Sequence, residues 1–233
     1  MKIGVFAYNF EHWKTQAGLL NLFLAGYKPD VVFAADPVKL NIKRSTIRIA
    51  PKDQFLVHPK KISERLNIDY IVAKHNSQTV KEEVEKRCLD VGIILGARIL
   101  KPIAFSSFRI GVINMHPGIL PENRGLDNVK WAISEGYDQG VTCHLIDKNI
   151  DRGLLLVKDC ISIYNDDTLL DLHLRVQNLE QKLMLEALDL IKSGDKLDLK
   201  PLGKGNYRKA IDYSIEQKFD DLFKRYKELK CRK

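Results

Sequence analysis

The sequence predicts an α/β fold: a doubly wound, mostly parallel sheet with an antiparallel hairpin and a small C-terminal appendage. Three observations lead there. Short β-branched runs alternate with stretches of helical periodicity from Lys2 to Ile113. Gly140 to Ile146 and Leu154 to Ile163 read as two strands whose connection, Asp147 to Gly153, is too short for a crossover helix, so they pair antiparallel. A long periodic segment then follows, with Leu169, Leu172, Val176, Leu179, Leu183 and Leu190 at the spacing of a helix lying on a sheet.

Lys2 to Ala7 reads as the first strand, and the loop Tyr8 to Trp13 leads into a helix over Lys14 to Ala25. That loop has no Gly-x-Gly-x-x-Gly, and the chain has no Walker lysine motif, which removes support for the standard dinucleotide and nucleoside-triphosphate folds. Val31 to Ala35 is a strand, and Asn41 to Ala50 an irregular or edge strand. Pro59 to Leu66 is expected to be helical, and Tyr70 to Lys74 extended. Thr79 to Cys88 is helical, with Glu82 and Lys86 at supporting spacing. Val91 to Leu95 is the most apolar strand and should lie centrally. Asn128 to Ser134 forms a short helix with Trp131. Asp166, Asp167 and Thr168 cap the long helix, which Gly194 ends. The division expected is 1–200 for the main domain and 201–233 for a helical or mixed appendage.

The composition, 45% hydrophobic and 29% charged, is that of an ordinary globular protein. No run approaches the roughly 20 apolar residues of a membrane span. The short N-terminal apolar run, followed by Asn9, Glu11 and His12, reads as a strand rather than a signal peptide, so a cytoplasmic protein is expected. Cys88, Cys143, Cys160 and Cys231 lack metal or disulfide spacing, and the histidines are scattered, so no metal is expected. The net charge of +8 invites a nucleic-acid partner. However, the basic residues near the end alternate with Phe219, Leu222, Phe223, Tyr226 and Leu229, the pattern of an amphipathic helix with a solvated face. No nucleic-acid partner is expected; the field suits small anionic ligands. The stripe requires cover, either its own domain or a second copy in a homodimer.

One stretch concentrates the chemistry. The strand Ile110 to Ile113 runs into Asn114-Met115-His116-Pro117, then Gly118-Ile119-Leu120-Pro121-Glu122-Asn123-Arg124-Gly125. Prolines and glycines stop regular pairing there, so Asn114 and His116 should stand at the mouth of the sheet, where open α/β folds bind ligands. An isolated Asn-x-His-Pro would more often be a simple turn, and Asp151 in Ile150-Asp151-Arg152-Gly153 a turn cap. Together with Asp90 to Pro102, however, these segments resemble the folate-dependent formyltransferases, in order and at family-like spacing over about residues 90 to 153.

The resemblance implies a Rossmann-like formyltransferase fold, 10-formyltetrahydrofolate as co-substrate, and Asn114, His116 and Asp151 as the catalytic group. It further implies that folate enters between Arg98-Ile99-Leu100 and Asp147-Lys148-Asn149. For Ile99 and Leu100 core packing is as good an account. The run Leu120 to Ile133, with Asn123, Arg124 and Trp131-Ala132-Ile133, is most similar to the nucleotide-sugar N-formyltransferases. So are Lys74-His75-Asn76 and Asn206-Tyr207-Arg208-Lys209; Gly118-Ile119 departs from the Ser-Tyr of many of them. An amino group, at C4, of a UDP-, dTDP- or GDP-linked deoxysugar is the implied acceptor, for surface polysaccharide or nonulosonic (pseudaminic) acid type glycans. Lys74 and Arg124 would meet the pyrophosphate, and Asn9, Phe10 and Trp13 the nucleoside. Core packing would equally account for Phe10 and Trp13, and a surface charge for Lys74. Too little chain follows the long helix for the tRNA domain of methionyl-tRNA enzymes. A glycinamide ribonucleotide transformylase and a non-catalytic folate- or nucleotide-binding module are the alternatives.

Overall fold

The first strand, β1 (Ile3–Tyr8), sends Ile3, Val5 and Ala7 into one apolar core and Phe6 into another. This is the two-residue period of a strand buried on both faces. The computed structural model describes residues 1–39, 45–47, 51–194 and 199–231. The strand expected over Asn41 to Ala50 lies largely outside the described residues.

In chain order there follow α1 (Trp13–Leu24), β2 (Val31–Ala35), α2 (Pro59–Arg65), β3 (Asp69–Val72), α3 (Gln78–Arg87), β4 (Val91–Ile94), α4 (Pro102–Phe105) and β5 (Gly111–His116). Then come β6 (Arg124–Gly125), α5 (Asn128–Glu135), β7 (Gly140–Leu145), β8 (Leu154–Cys160), α6 (Leu169–Lys192), β9 (Tyr207–Arg208), α7 (Tyr213–Glu216) and α8 (Phe219–Lys230). The seven-stranded sheet has the order β3-β2-β1-β4-β5-β7-β8. Its first five strands pair parallel, and β7 and β8 antiparallel, so β4 is central and the hairpin forms one edge.

The strand expected at Ile110 to Ile113 is longer than its apolar run. Parallel pairing with β4 stops at Ile93 opposite Ile113, but antiparallel pairing with β7 continues, Asn114 opposite His144 and His116 opposite Thr142. The polar residues thus belong to the strand, held from one side only. Two features have no counterpart in the sequence pattern: the single-turn α4, and the parallel pairing of β6 with β9.

Helix α6 covers β7, β8 and β5 through Leu172, Val176, Leu179 and Leu183. Leu190, expected in that stripe, is exposed, and Ala187, Leu188 and Ile191 take the inward positions. Its start is a capping box: the Thr168 hydroxyl accepts from the Asp171 N–H, and the Asp171 carboxylate accepts from the Thr168 N–H. On the opposite face α3 and α4 close the second core over Phe6, Phe33, Phe108 and Val112. Ile211, Phe219 and Tyr226 of the C-terminal segment join the first core, and Tyr226 donates to the Tyr137 carbonyl at 2.8 Å. The apolar stripe of α8 therefore meets α5, leaving Leu229 exposed. Among the described residues, no helix is long and apolar enough to cross a membrane.

Candidate active site

Side chains two apart on a strand share a face, so Asn114 and His116 follow Val112. Val112 is sealed in the second core beneath Phe108; the other two lie beyond that core and line a cavity of about 460 Å³ at the end of the sheet. Asp151 enters from the hairpin connection, where its φ of 51° puts it in the left-handed region that Asp tolerates well. Asn114, His116 and Asp151 thus converge on one cavity wall, together with Arg98, Ile99, Leu100, Asp147, Lys148 and Asn149.

His116 is buried. Its Nδ1 lies 3.4 Å from Asp151 Oδ1 and its Nε2 lies 2.8 Å from the Asn123 carbonyl oxygen. Both ring nitrogens face groups that only accept, an arrangement that a doubly protonated, cationic ring satisfies on both sides. Burial alone would raise the Asp151 carboxyl, but the hydrogen bond and charge of His116, with help from His144 and the Gly125 N–H, hold it below the usual carboxylate range. Asp151 is therefore held as the carboxylate beside a ring whose two nitrogens both face acceptors.

The half-buried Asn114 turns its Nδ2 toward Nε2 of the fully buried His144, 3.3 Å away. His144 Nδ1 lies 3.3 Å from the Leu145 carbonyl. Burial, reinforced by the charge on His116, pushes the His144 ring down to about 4, so it is neutral. Between the two site residues, the Met115 carbonyl accepts from Lys14 Nζ at 3.0 Å, and Lys14 pairs with the buried Glu180 at 2.7 Å. Sequence reasoning singled out neither His144 nor Lys14. The one available signal was that His144 is polar inside a strand that is otherwise sealed on both faces.

The remaining expected residues lie outside the cavity wall. Asn123 is buried; its carbonyl holds His116 and its amide donates to the Asn128 carbonyl at 2.8 Å. Arg124, expected at a pyrophosphate, is buried and donates to the carbonyls of Gly205 and Ile150. The cause is the pairing of β6 with β9, which turns the guanidinium inward. Asn9 is engaged by Asp36 and the Tyr70 hydroxyl, both at 2.7 Å. Phe10 stacks on Tyr8 with centroids 4.9 Å apart, Trp13 begins α1, and Lys74 is exposed. Tyr8 and His12 line the cavity on that side, and Tyr207 of β9 lines it from the tail.

On the opposite side, Arg98, Ile99, Lys148 and Asn149 are exposed at the mouth, while Leu100 is buried. The Asp147 carboxylate accepts from the Asn149 backbone N–H at 2.8 Å, an Asx turn that stiffens the rim. Among the described residues, no group of three or more His, Cys, Asp or Glu is placed to hold a metal.

The family model described as formyl transferase matches residues 34–188, well over half of the chain. The chain belongs to the formyl transferase family. It is 34% identical over 124 residues to the trifunctional purine biosynthetic protein adenosine-3 of Chironomus tentans, covering 53% of this chain but 9% of that protein. Among solved structures, glycinamide ribonucleotide transformylase 1 from Symbiobacterium toebii is similar with a TM-score of 0.65 at 19% identity, over 87% of this chain and 94% of that one. A sugar N-formyltransferase from Shewanella sp FDAARGOS_354 is similar with a TM-score of 0.60 at 21% identity, over 89% of this chain and 76% of that one. At these identities the structures establish the shared formyl transferase fold.

Proposed function

We propose that this formyl transferase family member transfers a formyl group from 10-formyltetrahydrofolate to the C4 amine of a nucleotide-linked amino deoxysugar. The observation that carries the transfer is the meeting of an amide, an imidazole and a carboxylate from β5 and the hairpin loop on one cavity wall. The cavity lies within the roughly 300–1,000 Å³ range of small-molecule sites. Exposed Arg98 and Lys148 at its mouth complement the carboxylates of a folate tail. When bound, 10-formyltetrahydrofolate supplies the electrophilic formyl carbon.

The protein's own groups supply the rest. Asn114 donates to the formyl oxygen as negative charge builds there, and a donor so placed typically contributes about 2.7–4 kcal/mol. His116, when protonated, adds charge of the right sign from 4% exposure, where water screens little. Asp151 takes the proton released by the attacking amine, directly or through one water, and keeps His116 oriented through Nδ1. That proton goes on to the donor nitrogen that leaves as its bond to the formyl carbon breaks. The largely buried floor limits hydrolysis of the donor.

For the acceptor, the run Leu120 to Ile133 and the likeness to a sugar N-formyltransferase support a nucleotide sugar. The likeness to the compact glycinamide ribonucleotide transformylases supports the second reading, an amine of purine synthesis. A binding module without turnover is disfavoured by the complete trio of Asn114, His116 and Asp151. The deciding experiment incubates the protein with 10-formyltetrahydrofolate and either UDP-, dTDP- and GDP-linked 4-amino sugars or glycinamide ribonucleotide, followed by mass spectrometry. One formyl mass gained by a nucleotide sugar is the expected result. Formylation of glycinamide ribonucleotide alone would replace this reading with the purine one.

A further inference from the structure

We propose that His144 is a positioning residue that fixes which end of the Asn114 amide faces the cavity. This rests on the role given to Asn114 above. The Asn114 amide has two orientations related by a half-turn; one offers N–H to developing negative charge, the other a repelling carbonyl oxygen. Something must choose between them.

The choice follows from a chain of donors and acceptors. The Leu145 carbonyl, 3.3 Å from His144 Nδ1, can only accept, so Nδ1 carries the proton. In a neutral ring Nε2 then carries a lone pair and can only accept. Asn114, 3.3 Å away, must therefore present its NH₂ group and not its oxygen. One N–H of that group goes to His144 and the second remains for the cavity. The opposite amide orientation would set an oxygen lone pair against the lone pair of a ring that is itself fully buried. The juxtaposition is built into the sheet, because Asn114 and His144 are directly opposed in the β5–β7 pair. His144 is not itself a lining residue; the lining side chain it is hydrogen-bonded to is Asn114, and its influence on turnover passes through that contact.

The first test needs no variant. In uniformly ¹⁵N-labelled protein at neutral pH, long-range proton–nitrogen correlation should show one histidine ring in the Nδ1–H form, and Asn114→Ala should move its Nε2 resonance. A ring assigned to His144, through its loss in His144→Gln, that is in the Nε2–H form or cationic would overturn the proposal. The second test is kinetic. His144→Leu should lower kcat roughly 10- to 100-fold with KM for the donor unchanged, less than the roughly 10²–10³ typical of deleting such a donor outright. His144→Gln, whose amide oxygen can stand where Nε2 stood, should recover most of the rate. The double variant Asn114→Ala/His144→Leu should be no slower than Asn114→Ala within about twofold, because the two act as a unit. Losses that multiply would mean that His144 acts elsewhere and would sink the idea. If His144→Leu does not fold, the Gln variant and the spectrum decide: a folded Gln variant as slow as Asn114→Ala counts against it. Should Asn114→Ala transfer formyl at the normal rate, the proposed chemistry fails, while the tautomer and the orientation it imposes are still read from the spectrum.

Discussion

Asp151 meets His116 with one carboxylate oxygen and the Gly125 N–H with the other, so neither oxygen is idle before substrate arrives. Asp151→Asn keeps the shape and removes the charge. We expect it to lower kcat by about 10²–10⁴-fold, the usual range for a proton-transfer group, with donor affinity from equilibrium titration nearly unchanged. Parallel loss of binding would instead place Asp151 in donor recognition. The buried His144 gives a stability prediction. An unfolded histidine takes up a proton near pH 6.5, whereas the folded ring resists until about 4. The native state is therefore undisturbed above about pH 6.5, loses stability as pH falls toward 4, and has lost roughly 3 kcal/mol on this account by then. Urea titrations across that window should be flatter for His144→Gln; an equal slope would show that other groups govern the acid limb. That Asn114, His116 and Asp151 belong together was legible only from three segments taken jointly, in an order and spacing that resemble the formyltransferases; each alone reads as a turn. His144 was not, because it occupies one position of an ordinary strand and its meaning lies in a partner thirty residues away.

At the scale of elements, the hairpin that carries Asp151 turns on Gly153. A Cβ there would stand 1.8 Å from the Leu145 carbonyl oxygen, a backbone atom that cannot swing away. Gly153→Ala should open the start of β8, loosen the carbonyl that holds His144, and lower both the thermal midpoint and kcat. A variant with unchanged melting and rate would show that the hairpin can shift as a body. At the start of α6, Thr168→Ala removes the hydroxyl half of the capping box and should cost about 1 kcal/mol in chemical unfolding. Strands and helices with clear periods were legible in order and type. The extension of β5 through His116 was not, since pairing across to β7 and not local propensity continues it. Nor was the β6–β9 pair, whose two residues per strand are too few to show any period.

For the molecule as a whole, the alternation of strand and helix sufficed to read a doubly wound sheet, because right-handed crossovers leave few other ways to pair parallel strands. What it could not convey is how the layers are tied under the site. Lys14 of α1 bonds the Met115 carbonyl of β5 and pairs with Glu180 of α6, so three elements meet at one ammonium group. Glu180→Gln should destabilise the fold by about 3 kcal/mol, the low end for breaking a buried pair, as the Lys14 side chain keeps 19% exposure. Denaturant unfolding with no change in midpoint would mean that water already compensates the lysine.

The return of the tail has a temporal side. Gly205 anchors Arg124 and Tyr207 lines the cavity, so both contacts come from residues that leave the ribosome long after β5 and the hairpin. A nascent chain released only as far as α6 would already hold Asn114, His116 and Asp151, yet its pocket would lack one rim and the loop bearing Asp151 would lack the anchor behind Arg124. Competence would then arrive late in synthesis, after the sheet has formed, and nicking the linker between α6 and β9 should return a finished protein to that immature condition.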